Sequence, residues 1–155
     1  MKALQMTIVA ATLIEGAAMA QDEPWADDAN VQAVLAQRKI GIEAMTSGRM
    51  SAETERYSTT FVANTPSNAV VPGDALLKLF GSGSISYDRV EQTIEYAGSH
   101  GNEMVVLMGV EIVVPGKGLA NAGKKLHRRF TDVFRLENGE WRHDLRHANV
   151  ILIED

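Results

Sequence analysis

The stretch "RRFTDVFRLENGEWRHDLRH", residues 128–147, decides how the C-terminal half of the chain folds. The Asn138-Gly139 pair at its centre predicts a tight hairpin, because a type I′ turn needs positive φ at both central residues. Counting outward from this turn gives four cross-strand pairs on one face of the hairpin. These pairs are Leu136 with Trp141, Phe134 with His143, Asp132 with Leu145, and Phe130 with His147.

This face is predicted to be buried because it carries the aromatic rings, yet it also carries Asp132, His143 and His147. An unpaired carboxylate among rings is costly, so Asp132 must find a partner, raise its pKa or line a wet cavity. Asp132 is diagonal to both histidines in this register. The opposite face is predicted to be polar and solvated, with Arg129, Arg135, Arg142, Asp144 and Arg146.

The two histidines of the hairpin are not predicted to bind a metal ion. Four residues apart on a strand, His143 and His147 lie roughly 13 Å from each other, so one ion cannot contact both. No further ligands occur at a suitable spacing, and there is no cysteine anywhere in the chain. We predict neither a metal nor a cofactor.

The remaining chain alternates helical and extended patterns. Helical spacing from Asp28 to Ser47 is followed by a short helix after Ser51, two extended pieces around residues 66–68, and a helix from Asp74 to Phe80. Long strands follow, which predicts an α+β fold with helices on one face of a curved antiparallel sheet. The strand at residues 103–114, "EMVVLMGVEIVV", is apolar on both faces and must be covered on both. We therefore expect a homodimer that forms through the sheet.

The net charge and the N-terminal residues provide expectations about the partners and the location of the protein. The 155-residue chain has a net charge of −5, which provides no electrostatic footprint for nucleic acid. Residues 1–20 combine Lys2, a twelve-residue apolar run too short to span a membrane, and Ala18-Met19-Ala20. We predict a signal peptide at 1–20, a mature tail at 21–27, a domain at 28–153, and a periplasmic or secreted location.

The hairpin resembles the C-terminal strand pair of the nuclear-transport-factor-2-like (NTF2-like) superfamily, especially its SnoaL-like, uncharacterised bacterial branch. The resemblance rests on Thr131, Val133-Phe134, Gly139, Trp141 and His147, and it extends over about residues 28–151 through "EAMTSGRM" and "NTPSNAVVPGDALLKLF". It implies a cone-shaped α+β roll whose sheet and helices enclose an apolar pocket, commonly in a homodimer. Members include isomerases, dehydratases, cyclases, binding modules and assembly domains, so the fold leaves the function open.

Two functions remain for such a pocket. A third possibility is that the protein is purely a module for assembly or partner binding. The first is an exported domain that binds a small hydrophobic or amphipathic molecule. The alternative is an enzyme of the isomerase, dehydratase or cyclase kind, in which Asp132 is the general base and His147 orients it or acts as the acid. The side chains expected to line the ligand site are Tyr96, Met108, Phe130, Phe134, Trp141 and His143.

Overall fold

The computed structural model of the protein describes residues 23–155. The predicted signal peptide at residues 1–20 lies outside these described residues. None of the helices within residues 23–155 combines the length and the apolarity that a membrane-crossing segment requires.

The N-terminal helix α1 spans Ala29–Thr46 and begins where the sequence predicts it. The carboxylate of Asp28 caps it by accepting hydrogen bonds from the backbone N–H groups of Asn30 and Val31, at 3.0 and 3.1 Å. Two 3₁₀ turns, Met50–Ala52 and Thr54–Arg56, stand where a short α-helix is predicted. The buried face of α1 consists of Val31, Val34, Arg38, Gly41 and Ala44.

Six strands form one curved, unclosed sheet, and helix α2 (Gly73–Gly81) follows the second of them. The strands are β1 (Tyr57–Asn64), β2 (Val70–Pro72), β3 (Tyr87–Ser99), β4 (Met104–Pro115), β5 (Lys125–Glu137) and β6 (Glu140–Glu154). Their order across the sheet is β2-β1-β6-β5-β4-β3. The predicted α+β class is confirmed. The sheet is mixed, however, because β1 runs parallel to β6, whereas every other pair is antiparallel.

The hairpin of β5 and β6 follows the predicted register only as far as His143. Positive φ angles at Asn138 and Gly139 make the turn, and Phe134 pairs with His143 as expected. Val133 then pairs with Leu145, so Asp144 is an extra residue in a β-bulge. Beyond this bulge the predicted pairs are wrong, because each residue of β6 is displaced by one position.

The bulge reverses which side chains of β6 face the interior. Asp132 pairs with Arg146, and Phe130 pairs with Ala148. Arg146, predicted on the polar face, therefore points inwards, whereas His147 is exposed on the outer face. A second bulge, between Ile94 and Tyr96 of β3, turns Tyr96 to the outer face as well.

Two clusters of buried apolar side chains lie on the inner face of the sheet. One packs α1 against β3–β6, and the other packs the end of α1 and α2 against β1. The first cluster comprises Val31, Val34, Ala97, Val105, Leu107, Phe130, Phe134, Trp141 and Ala148. The second comprises Ala44, Met50, Tyr57, Phe61, Ala63 and Leu76.

Candidate functional site

Five charged side chains meet in the interior, and we call them the buried charge cluster: Arg38, Glu111, Arg128, Asp132 and Arg146. They come from α1, β4, β5 and β6, and all except Arg146 are less than a tenth exposed. Buried charges are tolerated only when they are paired and hydrogen-bonded, so the contacts within this cluster decide what it can do.

Asp132 is completely buried, and four contacts surround its carboxylate. Arg146 Nη1 donates to Oδ1 and Oδ2, both at 2.9 Å, and His143 Nε2 lies 3.1 Å from Oδ1. Arg38 Nε lies 3.1 Å from Oδ2 as an ion pair without hydrogen-bond geometry. Burial alone would raise the pKa of Asp132, but Arg146, Arg38 and His143 outweigh it and hold the pKa far below its usual range.

The carboxylate of Glu111 is likewise surrounded by positively charged and hydrogen-bonding groups. Its carboxylate pairs with Arg128 Nη2 at 2.7 Å and with Arg146 Nη2, and it accepts from Gln92 Nε2 at 2.7 Å. Arg38 Nη2 lies further away, at 3.8 Å. Burial raises the pKa of Glu111, but the three arginines and Gln92 outweigh burial and bring the pKa to about 2. Both carboxylates of the cluster are therefore permanently charged at neutral pH.

His143 is enclosed by three aromatic rings. It stacks on Phe134 at a centroid distance of 4.6 Å, and the rings of Phe61 and Tyr57 lie 4.9 and 5.8 Å away. Burial, which is the largest effect, and the positive charges of Arg38 and Arg146 together lower the pKa of His143 against the raising effect of Asp132. The imidazole is thus neutral, and its Nε2–H donates to the carboxylate of Asp132, which can only accept.

The main cavity, of about 340 Å³, opens beside this cluster. Most of its wall is apolar and comes from α1, α2, β1 and the strand ends; six representative residues are Met45, Phe61, Leu76, Phe80, Ile85 and Leu126. The guanidinium-bearing residues Arg38, Arg128 and Arg146 also line it, together with Tyr57 and Tyr87. The volume lies near the lower end of the range of about 300–1,000 Å³ typical of ligand pockets.

No carboxylate, histidine or lysine of the described residues lines this cavity. Its ionisable groups are three arginines, which do not deprotonate in proteins, and two tyrosines. Burial raises the pKa of Tyr57 to about 12 against the opposing effect of Arg38 and Arg146. Within residues 23–155, no group of three or more histidine, aspartate or glutamate side chains is placed to hold a metal ion.

The predicted catalytic pair is not brought together. Asp132 is inside, but His147 is exposed on the opposite face of the sheet because of the bulge at Asp144. The histidine that contacts Asp132 is His143, which the sequence assigns only to ligand binding.

The six predicted ligand-binding residues do not line the main cavity. Tyr96 and Met108 are 42% and 41% exposed on the outer face, Tyr96 because of its bulge and Met108 because of its place in the alternation of β4. Phe130, Phe134 and Trp141 are buried in the apolar cluster under α1. His143 and Phe134 border only a minor void of about 20 Å³.

Sequence reasoning misses the polar residues that do border the cavity, although two signals point to them. Arg38 follows Val31 and Val34 at helical spacing, which places it on the buried stripe of α1. Arg128 precedes Phe130 by two residues, so strict alternation turns it inwards with the ring. Arg146 gives no such signal, because its orientation depends on the bulge.

Solved structures share this fold at low sequence identity. No protein-family model matches the sequence, and no curated protein is similar to it. An NTF2-like protein of unknown function in nutrient uptake from Rhodospirillum rubrum superposes with a TM-score of 0.68 at 16% identity, over 77% of this chain and 98% of that one. An uncharacterised protein with a cystatin-like fold from Caulobacter vibrioides gives 0.65 at 16% identity, over 78% and 89%.

The CamKII hub homology domain of Chlamydomonas reinhardtii gives a TM-score of 0.63 at 15% identity, over 79% of this chain and 99% of that one. Identities of this size establish the fold alone. The chain has the NTF2-like fold, as the hairpin residues indicate. The SnoaL-like branch stays a prediction.

Proposed function

We propose that the protein binds a small amphipathic molecule in the main cavity without transforming it. The supporting observation is the wall of this cavity, which is apolar over most of its area and carries fixed guanidinium groups in one region. Apolar walls with a few placed polar groups are the usual composition of small-molecule sites. The apolar part of the ligand would lie against Phe61, Leu76 and Phe80.

The alternative, an isomerase, dehydratase or cyclase with Asp132 as base, receives less support from the geometry. A general base must reach its substrate and accept a proton near neutral pH. Asp132 does not border the cavity, and its arginine partners hold its pKa far below that range. His147 is on the other side of the sheet. Binding therefore accounts for the cavity better than acid–base catalysis does.

Two neighbouring residues of strand β2 provide a test. Val71 lines the cavity, whereas Val70 is 72% exposed and does not. We expect Val71→Trp to fill the cavity and to weaken binding of the neutral fluorescent probe N-phenyl-naphthylamine at least about tenfold. Val70→Trp should bind the probe like the wild type. Absence of binding to the wild type, or equal binding by the two variants, would contradict the proposal.

The outer face of the sheet supports a second proposal, a homodimer. Tyr96, Met108 and Leu145 are each about two-fifths exposed there, and the register places them beside Val106 and Val133. We call these five residues the outer patch. The ion pairs Arg129–Glu95 and Arg135–Asp144 flank it, so its rim carries both signs of charge and can complement a second copy.

Light scattering after size-exclusion chromatography tests this interface. We expect a dimer for the wild type and for Val70→Lys, a control at an exposed residue outside the outer patch. Met108→Lys should give a monomer, because a lysine would be buried without a partner. A monomeric wild type at micromolar concentration would refute the dimer.

We also propose that the chain is exported to the periplasm or secreted. The support is the sequence of residues 1–20 alone. Intact-mass measurement on protein from the exported fraction should give a chain that begins at Gln21. A full-length mass confined to the cytoplasm would contradict export.

A further inference from the structure

The buried charge cluster contains one more cation than it has anions. Arg38, Arg128 and Arg146 contribute three positive charges, whereas Glu111 and Asp132 contribute two negative ones. His143 is uncharged there because burial lowers its pKa. The group thus carries a net charge of +1, and all three arginines border the cavity. An uncompensated buried charge is costly unless an anion completes it.

Three nitrogen atoms of the cluster are buried and make no hydrogen bond. These are Nε and Nη2 of Arg38 and Nε of Arg128. Both side chains are only 7% exposed, so solvent reaches them poorly. The carboxylates lie close to Arg38 but do not satisfy its two atoms, because Nε lies 3.1 Å from Asp132 without hydrogen-bond geometry and Nη2 lies 3.8 Å from Glu111. The excess charge and the two arginines with unsatisfied N–H groups therefore belong to the lining of the same cavity.

Rings hold two of the three guanidinium groups in place. Arg128 lies over the ring of Tyr87 at 5.1 Å and donates to its hydroxyl at 3.0 Å. Arg146 lies 5.5 Å from the centroid of Phe130. Arg38 has the fewest hydrogen bonds of the three, although the same ring lies 6.0 Å from it. Arg38 is thus the arginine whose N–H groups are least committed to hydrogen bonds within the cluster.

We propose that the ligand of the main cavity is a monoanion, an apolar molecule with one carboxylate-type group that Arg38 and Arg128 bind. This inference rests on the proposed binding function and names the chemical class of its ligand. A carboxylate matches the planar fork of arginine and neutralises the single excess charge. A phosphate monoester carries a charge of about −1.5 to −2 and would leave the site negative.

Three eight-carbon probes that share a tail and differ in the head group test the inference by calorimetry at pH 7.5: octanoate, octan-1-ol and octylamine. We expect octanoate to bind at least about tenfold more tightly than octan-1-ol, which is the effect of one charge-assisted hydrogen bond. Octylamine should bind most weakly, because its ammonium group meets the excess positive charge. Equal affinities for octanoate and octan-1-ol, or a preference for octylamine, would overturn the inference.

Variants of the cluster should change the octanoate affinity in opposite directions. Arg38→Met removes the excess charge and should abolish the preference for octanoate, whereas Arg38→Lys keeps the charge and should retain part of it. Glu111→Gln raises the net charge to +2 and should strengthen octanoate binding severalfold. Arg129→Met changes an exposed arginine on the outer face and is the matched control for overall charge. In every folded variant the affinity for octan-1-ol should change less than the affinity for octanoate, because the alcohol carries no charge.

The results separate this inference from the binding function on which it rests. If N-phenyl-naphthylamine binds to the wild type and octanoate shows no preference, the cavity function stands and the anionic head group is wrong. If neither probe binds, both the binding function and the monoanionic ligand are contradicted. Should Arg38→Met fail to fold by circular dichroism, Glu111→Gln still decides the question, because an unchanged or weaker octanoate affinity contradicts the inference.

Discussion

Replacing Arg146 by leucine tests whether the buried charge cluster is held together as described. Arg146 donates two hydrogen bonds to Asp132 at 2.9 Å and also pairs with Glu111. Removing one partner of a buried ion pair costs about 3–5 kcal/mol, and here the carboxylate of Asp132 would lose both of its hydrogen bonds to Arg146 while it stays buried. Arg38 and Arg128 remain near the two carboxylates, so we expect a cost near the low end, about 3 kcal/mol.

Urea denaturation at pH 7 measures this cost. With a slope of about 2 kcal/mol per molar urea, a loss of about 3 kcal/mol lowers the midpoint by about 1.5 M. Arg135→Leu is the control, because Arg135 also binds a carboxylate, that of Asp144, but its side chain is 56% exposed. Surface pairs contribute little, so its midpoint should stay close to that of the wild type.

The cost should also depend on pH in a defined direction. In the wild type the pKa values of Asp132 and Glu111 are lowered, so their contribution is fully present above about pH 4 and declines as the pH falls through the folded values. Without Arg146 these pKa values lie higher, and protonation relieves the buried carboxylate that has lost its hydrogen bonds to Arg146. The difference between Arg146→Leu and the wild type should therefore shrink between pH 7 and pH 3.

A double-mutant cycle with Asp132→Asn isolates the pair itself. Since Asp132 and Arg146 share two hydrogen bonds, their individual costs should add to more than the cost of the double variant, by at least about 1 kcal/mol. A loss below about 1 kcal/mol for Arg146→Leu, a cost that does not vary with pH, or additivity within about 0.5 kcal/mol would each refute the reasoning.

Two further predictions concern pH and strand spacing. Burial lowers the pKa of His143, so acid favours the unfolded chain from about pH 6.5 downwards. His143→Gln should therefore reduce the fall in melting temperature between pH 7.5 and pH 5. An unchanged dependence of the melting temperature on pH would contradict this. Gly109→Ala should destabilise the fold by about 1–3 kcal/mol in urea, because its Cβ would lie 2.1 Å from the backbone oxygen of Thr93. Gly98→Ala is the control, since its Cβ would meet only the tip of the exposed Tyr96 side chain, and equal midpoints for the two variants would refute the argument.

Local signals predict much of this fold correctly. The helical spacing that begins at Asp28 and the Asn-Gly turn each act within a few residues, so they can be recognised without knowing the tertiary structure. The parallel pairing of β1 with β6 joins segments about eighty residues apart and has no such signal. The sheet is for this reason mixed where the sequence predicts antiparallel strands throughout.

The candidate site depends on what strict alternation cannot predict. One extra residue, Asp144, exchanges the faces of Arg146 and His147, and another bulge moves Tyr96 outwards. The position of such a bulge cannot be recognised in the sequence, because the inserted residue is of a type that also occurs in regular strands. Buried arginines are equally hard to predict, since a guanidinium is stable inside only if carboxylates from other strands meet it.

The contacts of Asp132 finally distinguish a counter-ion from a base. A general base needs a free lone pair, access to the substrate and a pKa near the surrounding pH. A counter-ion needs only to stay charged and to keep its cation in a fixed position. Asp132 is enclosed, has every oxygen contacted and keeps a pKa far below neutrality. These properties suit the second role, because they fix Arg146 and Arg38 at the cavity wall before any ligand arrives. The energetic cost of burying two carboxylates is thus explained by the arginines that they orient, and the excess charge of those arginines selects the ligand.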